Sequence, residues 1–167
     1  MTPGRTYMIY KQCFIPGAVD YGVIYDTAEF EQLFTYEEDD LGASWTPDET
    51  TFKVWAPIAS SVFLNLYDTG SGPSLRDVFE LNREEKGVWS IRIPGDLSGT
   101  YYTYSTIVMG KTYEAADPYA RSSGVNGIRS MVLDPAGTNP PGWEKLSHFH
   151  LGNPTDAILY EVHIRDI

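Results

Sequence analysis

The chain has 167 residues, a net charge of −11 and 42% hydrophobic residues. That apolar share supports a real core and excludes wholesale disorder, while the acidic field repels phosphate and excludes nucleic acid as a partner. A single cysteine, Cys13, excludes an internal disulfide, and with no apolar run of signal-peptide or membrane-span length the sequence reads as a cytoplasmic chain with no membrane partner.

Residues 7–15 have weak alternation and predict at most a poor strand. Asp26-Thr27-Ala28-Glu29 has capping-box spacing, which predicts a helix start with Asp26 as N-cap. Phe30, Leu33 and Phe34 then recur at i, i+3 and i+4, so one short helix is expected. Glu37-Glu38-Asp39-Asp40 reads as a solvated turn. From residue 44 the texture changes to short strands separated by turn residues. The expected strands are Thr51–Ala56, Ser61–Tyr67, Arg76–Leu81, Val88–Ile93, Tyr101–Val108, Thr112–Ala116 and Arg129–Leu133, with turns at Asp68–Pro73, Asn82–Gly87 and Pro94–Gly99. About seven short strands at roughly ten-residue spacing is the pattern of an antiparallel sandwich, with no βαβ alternation.

Residues 135–156 hold four prolines and three glycines and read as an ordered linker, with Trp143 and Phe149 as anchors. Ala157–Asp166 alternates cleanly. Ile158, Tyr160, Val162 and Ile164 take one face; Leu159, Glu161, His163 and Arg165 take the other. This predicts a strand with no partner following it, as if it opened a larger sheet. The 167 residues are therefore expected to be the front piece of a longer protein.

Little in the chain points to catalysis. No phosphate-cradling glycine loop or nucleophile elbow is present. His148 and His150 lack a third ligand nearby, so no metal site and no cofactor are expected. No carboxylate stands in a context that singles it out, and no catalytic residue is assigned. Glu161, His163 and Arg165 are read as charges that fill a barrel interior or pair with further strands. The 14% aromatic content has two uses: packing a sandwich, or stacking on sugar rings.

Several segments carry a resemblance. Thr51-Phe52-Lys53-Val54-Trp55-Ala56-Pro57 is similar to the first strand of the N-terminal β-sandwich of starch-debranching enzymes. Gly87-Val88-Trp89-Ser90 and Gly99-Thr100-Tyr101-Tyr102-Thr103-Tyr104 resemble later strands of that module, and Ala116-Asp117-Pro118-Tyr119-Ala120 resembles its closing loop. Tyr160-Glu161-Val162-His163-Ile164-Arg165-Asp166 is similar to the first barrel strand of type I pullulanases, and Asp39-Asp40-Leu41-Gly42 fits ahead of the sandwich.

The resemblance implies an all-β chain. Residues 1–44 form an extension with one short helix. Residues 45–136 form an immunoglobulin-like sandwich of the family 48 carbohydrate-binding modules. Residues 137–167 form a linker and the first strand of a truncated (β/α)8 barrel of glycoside hydrolase family 13. The parent enzyme would cleave α-1,6 branch links by a retaining two-carboxylate mechanism, with catalytic residues on later barrel strands; this chain alone is expected to be inactive. Partners implied are α-glucan (pullulan, limit dextrin or malto-oligosaccharides) and the chain's own catalytic barrel. Tyr113 stands where glycogen-binding members carry a tryptophan, and Thr103 where they carry a lysine. Tyr113, Trp89 and Trp55 are the candidate sugar-contact residues, the two tryptophans being also candidates for the core. Two rival readings are a standalone α-glucan-binding module and a chain that dimerises through its open terminal strand.

Overall fold

The computed structural model describes residues 5, 7–10, 12, 17–18, 22–147, 150–163 and 165, which fall into two compact units, 1–134 and 135–167. In the first unit β1 (Met8–Ile9) pairs with β2 (Gly17–Ala18). A 3-10 turn, Gly22–Asp26, leads into α1 (Ala28–Phe34). The helix begins one residue later than Asp26 would dictate. Thr27 is the N-cap: its hydroxyl accepts from the Phe30 N–H and donates to the Ile24 carbonyl. Asp26 is spent in the preceding turn, so it cannot supply the extended backbone a cap needs.

Nine further strands follow among the described residues: β3 (Gly42–Trp45), β4 (Glu49–Trp55), β5 (Ser61–Tyr67), β6 (Leu75–Glu80), β7 (Asn82–Arg83), β8 (Val88–Pro94), β9 (Tyr101–Val108), β10 (Lys111–Ala115) and β11 (Ser130–Met131). They form two antiparallel sheets. The first has the order β3-β4-β8-β7; the second has the order β10-β9-β5-β6, with β11 also on β9. The alternating strands behave as their period requires. In β4, Thr50, Phe52 and Val54 point inward while Thr51, Lys53 and Trp55 point out. In β5 and β9, Val62, Leu64, Leu66, Tyr102 and Tyr104 point inward. Both sheets feed one core, closed by Leu81, Leu97 and Val132. The Phe52 and Tyr102 rings meet edge to face at 5.0 Å, joining a strand of each sheet. Each such side chain contributes about 1.5–3 kcal/mol by leaving water.

Two strands of the first sheet were not foreseen. Gly42–Trp45 pairs with Thr50–Lys53 as an edge strand, although its sequence has no alternation. Asn82–Arg83, expected within a turn, forms two rungs with Trp89 and Ser90. The rest of the turn is a 3-10 bend in which Lys86 and Gly87 both have positive φ.

The second unit holds short 3-10 turns at Pro135–Thr138, Trp143–Lys145 and Pro154–Asp156. Trp143, expected to be an anchor, is exposed; Phe149 lies outside the described residues. The terminal strand is not formed over its described part: 157–163 carries no ladder, and Ile158, Leu159 and Tyr160 stand out in solvent. Alternation specifies which face a strand buries, but a strand exists only where another supplies its backbone partners, and none does so among the described residues. Ile164 and Asp166 lie outside them. Among the described residues no helix is long and apolar enough to cross a membrane.

Candidate functional site

The outer face of the first sheet carries a built groove. Trp55, the last residue of β4, is 38% exposed, and its indole N–H donates to the carbonyls of Phe34 (2.8 Å) and Lys86 (3.1 Å). The ring is thus clamped between the end of α1 and the bend before β8. That closeness depends on Gly87. A Cβ there would lie 2.5 Å from the Pro57 backbone and 3.1 Å from the Phe34 ring, and its φ of +76° suits glycine.

Tyr119 approaches from the other side. The Asp117 carboxylate accepts from the Tyr119 N–H at 2.8 Å and from the Tyr102 hydroxyl at 2.7 Å, pinning the loop to the core. Burial pushes Asp117 above the usual carboxylate range, against these stabilising bonds. A Cβ on Gly42 would lie 2.9 Å from the Tyr119 carbonyl, so only glycine lets β3 and this loop meet so closely.

Tyr36, just after α1, completes the wall. Its hydroxyl donates to Asp40 at 2.6 Å and accepts from Lys53, which also forms an ion pair with Asp40. The bond from Lys53, then that from Tyr36, holds Asp40 below the usual carboxylate range; the bond to Asp40 holds Lys53 above its ordinary value. The resulting groove, about 280 Å³, is lined by Glu31, Thr35, Tyr36, Leu41, Trp55 and Tyr119. An adjoining cleft shares Tyr36 and is lined by Glu37, Glu38, Glu84, Glu85 and Lys86.

The other two sequence candidates lie elsewhere. Trp89 is 4% exposed in the core; its indole donates to the Ala56 carbonyl at 3.0 Å, and the Arg83 guanidinium lies over its ring. A ring so placed has no face to offer a sugar. Tyr113 stands on edge strand β10 of the second sheet, 54% exposed. On that sheet's outer face a separate polar network forms. Glu114 accepts from the hydroxyls of Thr103 and Tyr67, and the Asn65 side chain donates to Thr103 and Ser105. These bonds, that from Thr103 first, lower Glu114. Thr103, where a lysine donor was expected in glycogen binders, is a buried member of this network.

Glu31, Thr35, Tyr36 and Tyr119 were not among the sequence candidates. A signal existed for two regions: Asp39–Gly42 and Asp117–Ala120 both stood out as motifs, and the fold brings them together at Gly42 and Tyr119.

The fold agrees with the comparisons. Residues 40–120, just under half of the chain, match the family model "Carbohydrate-binding module 48 (Isoamylase N-terminal domain)". Pullulanases are among its relatives. The pullulanase of Bacillus subtilis (strain 168) is 37% identical over 147 residues, covering 87% of this chain and 19% of the relative. Among solved structures, the pullulanase from Anoxybacillus sp. LM18-11 is 39% identical with a TM-score of 0.81, covering 99% of this chain and 23% of that one. The pullulanase from Paenibacillus barengoltzii, solved with maltohexaose and alpha-cyclodextrin, is 42% identical with a TM-score of 0.76, covering 84% of this chain and 22% of that one. The chain thus spans about a fifth of the length of these relatives.

Proposed function

We propose that this chain is the non-catalytic N-terminal module of an α-1,6-glucan debranching hydrolase of the type I pullulanase kind, which scaffolds a glycoside hydrolase family 13 barrel and contacts α-glucan. The observation that carries the reading is that one segment matches both the binding-module family and pullulanases in sequence and fold. In this reading residues 1–44 are an extension, 45–136 an immunoglobulin-like sandwich, and 137–167 a linker and the first barrel strand. The exposed Ile158, Leu159 and Tyr160 are then side chains awaiting that barrel. The protein would work in the cytoplasm, in keeping with its single cysteine. Sugar contact falls to the exposed rings among the sequence candidates, Trp55 and Tyr113, because pyranoses present an apolar C–H face to aromatic planes. A related pullulanase is solved with maltohexaose and alpha-cyclodextrin, ligands of the class assigned here.

Two assays on the 167-residue chain test this. Incubated with pullulan, it should release no reducing sugar; release would overturn the non-catalytic assignment. Tryptophan fluorescence titrated with β-cyclodextrin should saturate, and a flat titration at millimolar sugar would leave scaffolding alone. A second reading, self-association through residues 157–163, draws on the same exposed side chains. It requires a dimer in sedimentation analysis, and a monomer at all concentrations would refute it.

A further inference from the structure

We propose that the groove between the end of α1 and the outer face of the first sheet is a subsite for one or two glucose units of an α-glucan. Trp55 and Tyr119 are its stacking rings, and Glu31 and Thr35 its hydroxyl partners. This rests on the glucan-binding reading above and goes further by joining Trp55 to Tyr119, Glu31 and Thr35, which the sequence did not single out.

Size comes first. A volume of about 280 Å³ falls just below the range of drug-sized ligand sites, which run from roughly 300 to 1,000 Å³. It takes a sugar ring or two, and it is too small for a docked helix or strand. Composition comes second. Three aromatic rings and Leu41 supply apolar area, while Glu31 and Thr35 bring a carboxylate and a hydroxyl to the same lining. That is the mixture a pyranose needs: flat apolar surface plus groups that bond its hydroxyls.

Two of the rings are also held in advance. The Trp55 N–H is fully used by two carbonyls, so its polar edge is occupied while over a third of the residue stays open. The Tyr36 hydroxyl is tied to Asp40 and Lys53, and the Tyr119 backbone to Asp117. Side chains already fixed lose little freedom on binding, and affinity gains accordingly. Two glycines, Gly42 and Gly87, occupy the points where a Cβ would force these walls apart.

Charge decides the ligand class. Glu31 lines the groove, and four more glutamates line the cleft that shares Tyr36. Such a field repels phosphates and carboxylates but leaves a neutral polyol unaffected. A basic peptide is the alternative that the charge would also allow; its binding would weaken steeply with salt, whereas a sugar's would not.

Isothermal titration calorimetry of the 167-residue chain with maltotetraose tests the proposal, with cellotetraose as the β-linked control. Saturable, salt-insensitive binding of maltotetraose is expected, weakened about tenfold by Tyr119→Ala and by Trp55→Ala. Tyr119 is exposed, so its variant reports on binding even if Trp55→Ala unsettles the helix. Full binding by the Tyr119 and Trp55 variants, with loss in Tyr113→Ala, would overturn the groove and leave the glucan-binding reading standing. No heat from any form would overturn both. Equal binding of cellotetraose would overturn the α-glucan assignment, and steep loss with salt would favour the peptide.

Discussion

Trp55 and Trp89 sit one rung apart on neighbouring strands of the same sheet, paired with Val88 and Val54 respectively. They end on opposite faces with opposite fates. Trp89 is buried and bonded to Ala56; Trp55 is half open and bonded to Phe34 and Lys86. Both indole N–H groups are satisfied, so hydrogen bonding does not separate the two residues. Register does. A single step along the strand turns a core residue into a surface one. One ring then serves stability, and the other is free to serve recognition.

The largest expected effect is on the inner face. Trp89→Ala should cost about 3–5 kcal/mol, because it empties a large volume that the two sheets enclose; urea unfolding should show it as a lower midpoint. Gly87→Ala comes next, at roughly 2 kcal/mol. The new methyl meets the Pro57 backbone at 2.5 Å, and the positive φ adds its own strain. Its loss should show in thermal unfolding and in weaker amide protection at the end of α1. Trp55→Phe should cost only about 1 kcal/mol, since it removes two bonds to carbonyls that lie near solvent and keeps an aromatic ring. A cost for Trp55→Phe as large as that for Trp89→Ala would break the division between the two faces.

Smaller still is the ion pair beside the groove. Asp40 is depressed in the folded state by Lys53 and Tyr36. Its contribution is present above the ordinary carboxylate pKa, near 3.9, and fades as pH falls through the folded value. Asp40 is half exposed, so solvent screening limits this to about 0.5 kcal/mol. Asp40→Asn should lower stability slightly at neutral pH and leave it unchanged in acid, as read from denaturation midpoints across pH. The same depression should be smaller in Lys53→Met, where only the Tyr36 bond remains.

Much of the sheet structure was legible because burial follows a period of two. Val62, Leu64 and Leu66 in one strand, and Trp89 and Ile91 in another, announce their faces. The short edge strands were harder to find. Gly42–Trp45 has no alternation to read, and Asn82–Arg83 is too brief to show any; both are strands because a longer neighbour offers its edge. The helix cap went to Thr27 because a preceding turn, invisible to local spacing, absorbed Asp26. Ala157–His163 shows the reverse case, with perfect alternation and no ladder, since pairing depends on a partner that spacing cannot supply. Trp55 was legible as an aromatic candidate for sugar. Its groove was not, because Tyr36 and Tyr119 reach it from distant segments through two close approaches at Gly42 and Gly87.

The most direct measurement follows the two indole N–H resonances in one proton–nitrogen spectrum while maltotetraose is added to the 167-residue chain. The Trp55 signal should shift progressively and saturate, while that of Trp89 stays in place. Movement of Trp89 together with a stationary Trp55, or no movement of either while sugar binds, would contradict a recognition face built on the outside of the first sheet.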